Sequence, residues 1–254
     1  MERFLQQYFD LELIGRTLPV PFREGLANTL ILAVGAIVIG LAAGLLLALV
    51  GISRNPLLRL PVKVYIDIFR GLPAILTIAV VGNGLPQAGL NIFGRNRQAY
   101  AILALGLIST AYIAESFRAG IESVEKGQME AARSVGMSHL QALRLVIIPQ
   151  GVRRVLPPLT NEFIAITKDS SLAFILGIGA GERDLFRVGQ NIGQQTGSFT
   201  PYIAAGLVYL MLTVPLTRLV NYMDKRLKEG RAGTAGPVEE DIGVQTGPGH
   251  GGAV

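Results

Sequence analysis

From Leu26 to Ile52 the chain carries no ionisable side chain. As a helix, a segment of that length rises about 40 Å at ~1.5 Å per residue, more than the ~30 Å hydrocarbon core of a bilayer. It can therefore span the core with some tilt, and it is the first span. Four further stretches repeat the theme: about Val64–Leu85, Gln98–Val124, Val152–Ile178 and Pro201–Leu219. Charged residues make up 16% of the chain, against about 25% in soluble domains. The expected fold is therefore all-α and integral to a membrane, one domain with about five transmembrane helices.

Within the first span, Ala36, Gly40, Gly44 and Ala48 recur every four residues. Such a small-residue ridge lets another helix backbone come close. The partner is left open, either a helix of this chain or a second copy. The chain has no cysteine, which excludes disulfides, thiolate nucleophiles and cysteine metal sites. His139 and His250 lie in unrelated contexts, so no metal site is expected. Residues 1–25 mix charges into apolar residues and lack the continuous apolar core of a cleaved signal; they read as an extracytoplasmic or interfacial segment.

Basic residues cluster in 53–63, 126–154 and 218–231. With five spans and the N-terminus outside, all three fall on one side, and the positive-inside rule makes that side the cytoplasm. Gly82 to Arg97 reads as an outside loop. Asp67 and Arg70, three apart on one helix, read as a structural pair at the inner end of the second span. The tail 228–254, acidic and Gly-rich, reads as disordered.

The segment Glu130 to Pro149, EAARSVGMSHLQALRLVIIP, is soluble in character yet lies between spans. Its apolar residues recur at helical spacing, and Gly136, at about 1 kcal/mol inside a helix, divides it into two short helices meeting at a turn. Ser138 can cap the second, and Pro149 marks a break before the next span. A cytoplasmic hairpin with a small-residue surface suits a partner's groove; an amphipathic loop lying on the membrane is the competing reading.

The order Glu130, Ala131, Ala132, then Gly136, then a hydrophobic run ending in Ile148 and Pro149 resembles the EAA loop of permease subunits of ATP-binding-cassette importers. FRGLP at Phe69–Pro73, AYIAESFRAGI at Ala111–Ile121 and LPPLTNEFIAITKDSSL at Leu156–Leu172 follow the order and spacing of the polar amino acid permeases, the histidine and glutamine type. The resemblance covers about Leu26 to Arg226. It implies the type I importer fold, a transmembrane permease domain over 26–227, and a coupling loop at 125–149. It also implies a bacterial inner-membrane location, a dimer of cytoplasmic ATPase subunits, a second permease subunit and an external amino-acid-binding protein. ATP and magnesium would be held by the ATPase, since this chain has no phosphate-binding loop; no cofactor and no nucleic acid are expected on the chain itself.

Charges within a span mark function. At ~100° per residue, Arg154, Pro158, Asn161, Glu162, Ala165, Lys168 and Asp169 share an arc of about 120°. On the third span, Glu115 sits at a similar depth. Glu115, Asn161, Glu162, Lys168 and Asp169 are therefore the candidate substrate contacts, with ion pairing or gating the alternative for Lys168 and Asp169, and an Arg118 salt bridge the alternative for Glu115. Arg154 is assigned to the cytoplasmic interface. An ion-coupled secondary transporter could also use intramembrane acids, but it gives no reason for the hairpin. A membrane enzyme finds no supporting motif.

Overall fold

The computed structural model describes residues 2–53 and 55–232, and among them there are helices and no strand. In chain order these are α1 (Glu2–Tyr8), α2 (Leu11–Thr17), α3 (Leu26–Gly51), α4 (Pro56–Gly71), α5 (Ala74–Ala79), α6 (Leu85–Gln87) and α7 (Arg97–Glu122). There follow α8 (Lys126–Ser134), α9 (His139–Ala142), α10 (Ile148–Asp169), α11 (Leu185–Thr196) and α12 (Thr200–Ala232). A π-helical turn, Pro21–Gly25, leads into α3, and a 3₁₀ segment, Ser170–Leu176, follows α10.

Three helical runs are long and apolar enough to cross a membrane: Leu11–Gly51, Arg97–Glu122 and Thr200–Arg226. Pro56–Gly71 and Ala74–Gln87 are long and apolar enough only when taken together, and they meet at 106°, the geometry of a broken span or a re-entrant loop. The break follows from sequence. Pro73 disfavours helix at the residue before it, and Leu72 is extended, at φ −85° and ψ 141°. The second span thus starts eight residues earlier than hydropathy predicts, because Pro56 at the first turn of α4 suits a helix start. Residues 82–87 are helical, so the outside loop is shorter than expected; Arg97 reaches back to the Gly82 carbonyl at 3.1 Å and Asn83 Oδ1 at 2.9 Å. The fourth expected span, α10, is helical but is too charged to qualify as apolar, whereas the fifth lies within the apolar run of α12.

The core is the seam between α3 and α7. Ala36, Gly40, Gly44 and Ala48 are all buried, and the ridge packs within this chain. A Cβ on Gly40 would lie 2.9 Å from Ser109 Cβ, and one on Gly44 2.8 Å from Ile113 Cγ2. Leu32, Ile78, Leu105, Ile166 and Leu176 close the far half of the core. The polar pair in the first turn of α3 has its own use. Asn28 Nδ2 donates to the carbonyls of Gly181 (2.9 Å) and Arg183 (3.1 Å), and Thr29 Oγ1 accepts from the Leu185 N–H at 3.0 Å. Asp184 then caps α11, accepting from the Phe186 N–H and the Tyr209 hydroxyl; burial pushes its carboxyl up, to about 6.

The N-terminal segment, from residue 2 to 25, lies against the start of α12, with the Gln7 carbonyl accepting from the Phe199 N–H at 3.0 Å and Tyr8 stacked on Phe199. At the other terminus α12 runs to Ala232, so 228–232 are helical rather than disordered; the rest of that expected tail, 233–254, lies outside the described residues.

His139 and Asn91 are exposed at opposite ends of this helical array. With the hairpin in the cytoplasm, an impermeant thiol reagent on intact cells is expected to label Asn91→Cys and spare His139→Cys. The reverse pattern would invert the topology.

Candidate functional site: an intramembrane charge cluster and the hairpin beneath it

The hairpin forms as two helices. Helix α8 ends in a double hydrogen-bonded turn, with the Met137 N–H donating to the Ala132 carbonyl (3.2 Å) and the Gly136 N–H to Arg133 (3.1 Å). That turn needs a left-handed residue after the cap, and Gly136 supplies it at φ +87°. Ser138 and Gln141 then form a reciprocal capping box that opens α9. Ala132 is buried, whereas Glu130, Ala131 and Gly136 are exposed. Val135 and Leu140 point outward at 74% and 72% exposure.

The expected break at Pro149 is absent. Proline 149 cannot donate to the carbonyl four residues back, and the chain absorbs this by widening the preceding turn. Leu143–Ile147 is π-helical, with the Ile148 N–H donating to the Leu143 carbonyl. Helix α10 therefore continues directly from the hairpin, with Pro149 in its first turn.

Above the hairpin α7 and α10 nearly touch. A Cβ on Gly151 would lie 2.8 Å from Ile121 Cα, and one on Gly120 2.9 Å from the Gly151 carbonyl oxygen. Arg154 crosses the same gap, donating to the Ser123 carbonyl and, at 3.2 Å, to its hydroxyl.

Higher still lies the charge cluster. Glu115 is chelated by Arg118 of its own helix, with Nε to Oε2 at 3.0 Å, and Arg118 also holds Glu122. Arg70, at the end of α4, approaches Glu115 Oε1 to 3.9 Å and lies 5.3 Å from the centre of the Tyr112 ring. From α10, half-buried Glu162 lies within the field of both Arg70 and Asp169. Arg70 is thus where α4, α7 and α10 meet electrically. A cavity of about 410 Å³ opens beside it, lined by Arg70, Tyr112, Glu115, Ser116, Arg154 and Pro158 among others.

Residues 26–229 match the family model of the binding-protein-dependent transport system inner membrane component. The chain belongs to this family. Among relatives of this permease, the probable glutamine ABC transporter permease protein GlnM of Bacillus subtilis is 38% identical over 82% of this chain and 94% of its own length. The arginine transport system permease protein ArtQ of the same organism is 36% identical over 84% and 95%. The glutamate/aspartate import permease protein GltK of Escherichia coli O157:H7 is 33% identical over 86% and 98%. Among solved structures, an amino acid ABC transporter with histidines superposes at a TM-score of 0.75, with 37% identity, over 85% of this chain and 97% of that one. The methionine transporter MetNI, at 22% identity and a TM-score of 0.60, shares the fold.

Among the sequence-predicted site residues of the permease, Glu115 and Glu162 face Arg70, and Asp169 lies near Glu162 on the same helix. Asn161 and Lys168 are exposed on α10. The expected Asp67–Arg70 pair is not formed among the described residues: Arg70 turns to Glu115, because the helix ends at Gly71 and brings it against α7. Tyr112 flanks Glu115 on the polar face of α7, as helical spacing predicts, and Arg70, read from sequence as a partner of Asp67, is the cluster member that sequence reasoning assigned elsewhere. The signal for Arg70 was its place one residue before the Gly-Leu-Pro break.

Proposed function

We infer that this permease is the membrane subunit of an ATP-driven importer of polar or charged amino acids, forming the translocation path and taking its drive through the hairpin. The observation that carries this is the continuity of α9, the π turn and α10, which connects the hairpin to the helix bearing Glu162 and Asp169 without a joint. A push on Gly136 and its neighbours reaches the charge cluster through one element. The hairpin residues Glu130, Ala131, Ala132, Gly136 and Pro149 form or support the seat for an ATPase subunit, which supplies ATP and magnesium. An external binding protein delivers the amino acid, and a second permease subunit, of the same or a related chain, completes the path.

In the cluster, Arg70 offers a cation and Glu115, Glu162 and Asp169 offer acids, with Asn161 and Lys168 nearby on α10. An amino acid's ammonium and carboxylate can replace these mutual contacts for the moment of passage. Such exchange keeps buried charges compensated without holding the cargo permanently.

The test is uptake in vesicles containing the permease, its ATPase and the external binding protein. Glu115→Gln keeps shape and removes charge. A charge-assisted hydrogen bond contributes about 1.5–3 kcal/mol, so uptake is expected to fall about tenfold or to shift between cationic and neutral amino acids, with the complex still assembled. Unchanged transport in both Glu115→Gln and Asn161→Ala would make the cluster structural. Uptake driven by an ion gradient without ATP would instead support a secondary transporter.

A further inference from the structure

A second cavity, of about 630 Å³, opens on the hairpin side of the Arg70–Glu115 contact, between α4, α7 and α9. Its wall carries a stripe of α4. Arg59, Lys63 and Asp67 are spaced four apart, so they lie along one helix face, while Val62 and Ile66 beside them are buried and fix that face against α7. The opposite wall holds Arg118, Glu122 and His139.

The charges in this cavity divide into two groups. Arg118 is occupied by Glu115 and Glu122, and Arg70 by Glu115. Arg59, Lys63, Asp67 and His139 form neither an ion pair nor a side-chain hydrogen bond among the described residues, although all four line the cavity. Lys63 and Asp67 are near enough on the helix to pair, but lysine before acid is the less favourable order, and they stay apart. The cavity therefore offers an unspent cation and an unspent acid one helical turn apart. Its volume falls within the range of small-molecule sites.

We propose that this cavity is a cytoplasmic site for a free amino acid, bound as a zwitterion with its carboxylate on Lys63 and Arg59 and its ammonium on Asp67, through which accumulated product slows further import. The proposal rests on the import function inferred above. Binding here favours the arrangement in which the cavity is open to the cytoplasm, and a ligand shifts an equilibrium by its preference for one state.

The experiment uses vesicles holding the whole complex, loaded inside with millimolar unlabelled L-glutamine, L-arginine or L-glutamate. Initial ATP-driven uptake of the labelled amino acid and the rate of ATP hydrolysis are both read, so that isotope exchange does not mimic inhibition. At least one internal amino acid is expected to slow both rates severalfold, with its N-acetyl form ineffective. Lys63→Ala and Asp67→Asn should each require about tenfold more internal amino acid for the same effect, and Lys63→Arg should restore the wild-type response. Unslowed uptake, equal slowing in wild type and both variants, or equal potency of the N-acetyl form would overturn the proposal. No ATP-driven uptake from empty vesicles would instead overturn the import function itself.

Discussion

Replacing Gly136 by aspartate is expected to abolish uptake while the permease stays in the membrane. Apart from its two chain neighbours, no residue has an atom within 4 Å of the position a Cβ would take, so the loss does not come from crowding. Two other effects act. A side chain at φ +87° strains the backbone by about 1–3 kcal/mol, at the lower end for aspartate and asparagine, which visit the left-handed region more readily than most. Aspartate also places a negative charge on the exposed turn between Val135 and Leu140, the two outward-pointing apolar residues of the hairpin. A groove that receives those side chains would have to desolvate the charge. Gly136→Asn carries similar strain without the charge and should retain part of the uptake. Co-purification of the ATPase and stimulated ATP hydrolysis are the measurements. Full ATPase recovery with normal stimulated hydrolysis in Gly136→Asp would sink the assignment of this hairpin as the docking element.

Gly151→Leu is expected to damage the subunit itself. The new Cβ would meet backbone, 2.8 Å from Ile121 Cα and 3.0 Å from Ile121 N, and backbone cannot rotate out of the way as a side chain can. Overpacking costs about 1–3 kcal/mol where side chains can adjust; here α7 and α10 must separate, which also parts Arg154 from Ser123. The midpoint of thermal aggregation, followed by size-exclusion of detergent extracts, should drop by several degrees and membrane levels should fall. Gly206→Leu is the matched control, since the same substitution on α12 meets open space. If the two variants behave alike, the close approach at Gly151 is not what holds these helices together.

Hydropathy alone located α3, α7 and α12 to within a residue or two at their starts, because a lipid core admits few solutions for an apolar run of that length. The Gly136 turn and its Ser138 cap were equally plain, since both depend on residues at fixed local offsets. What the chain did not disclose was of a different kind. The π turn at Leu143–Ile147 has no composition signature; it is the local response to Pro149. The partner of the Ala36, Gly40, Gly44 and Ala48 ridge lies some 70 residues on, in α7. Likewise Arg70 sits beside Asp67 in sequence but meets Glu115 across a bend, and a contact between helices cannot be read from helical spacing within one.

Helix α10 carries Arg153, Arg154, Glu162, Lys168 and Asp169, which is why it is not counted among the apolar runs. On insertion scales a central charge costs about 2.5–3.5 kcal/mol, while a central leucine returns only about 0.3–0.6. Left to partition alone during synthesis, this segment would remain in water. Its seat is α7, which receives Gly151 and Val155 and whose end, at Ser123, accepts from Arg154, so α7 is expected to be laid down first. The order of biogenesis is thereby written into the chain: a nascent polypeptide released before α7 is seated would leave α10 on the ribosome's side of the membrane, an early and visible substrate for quality-control proteases.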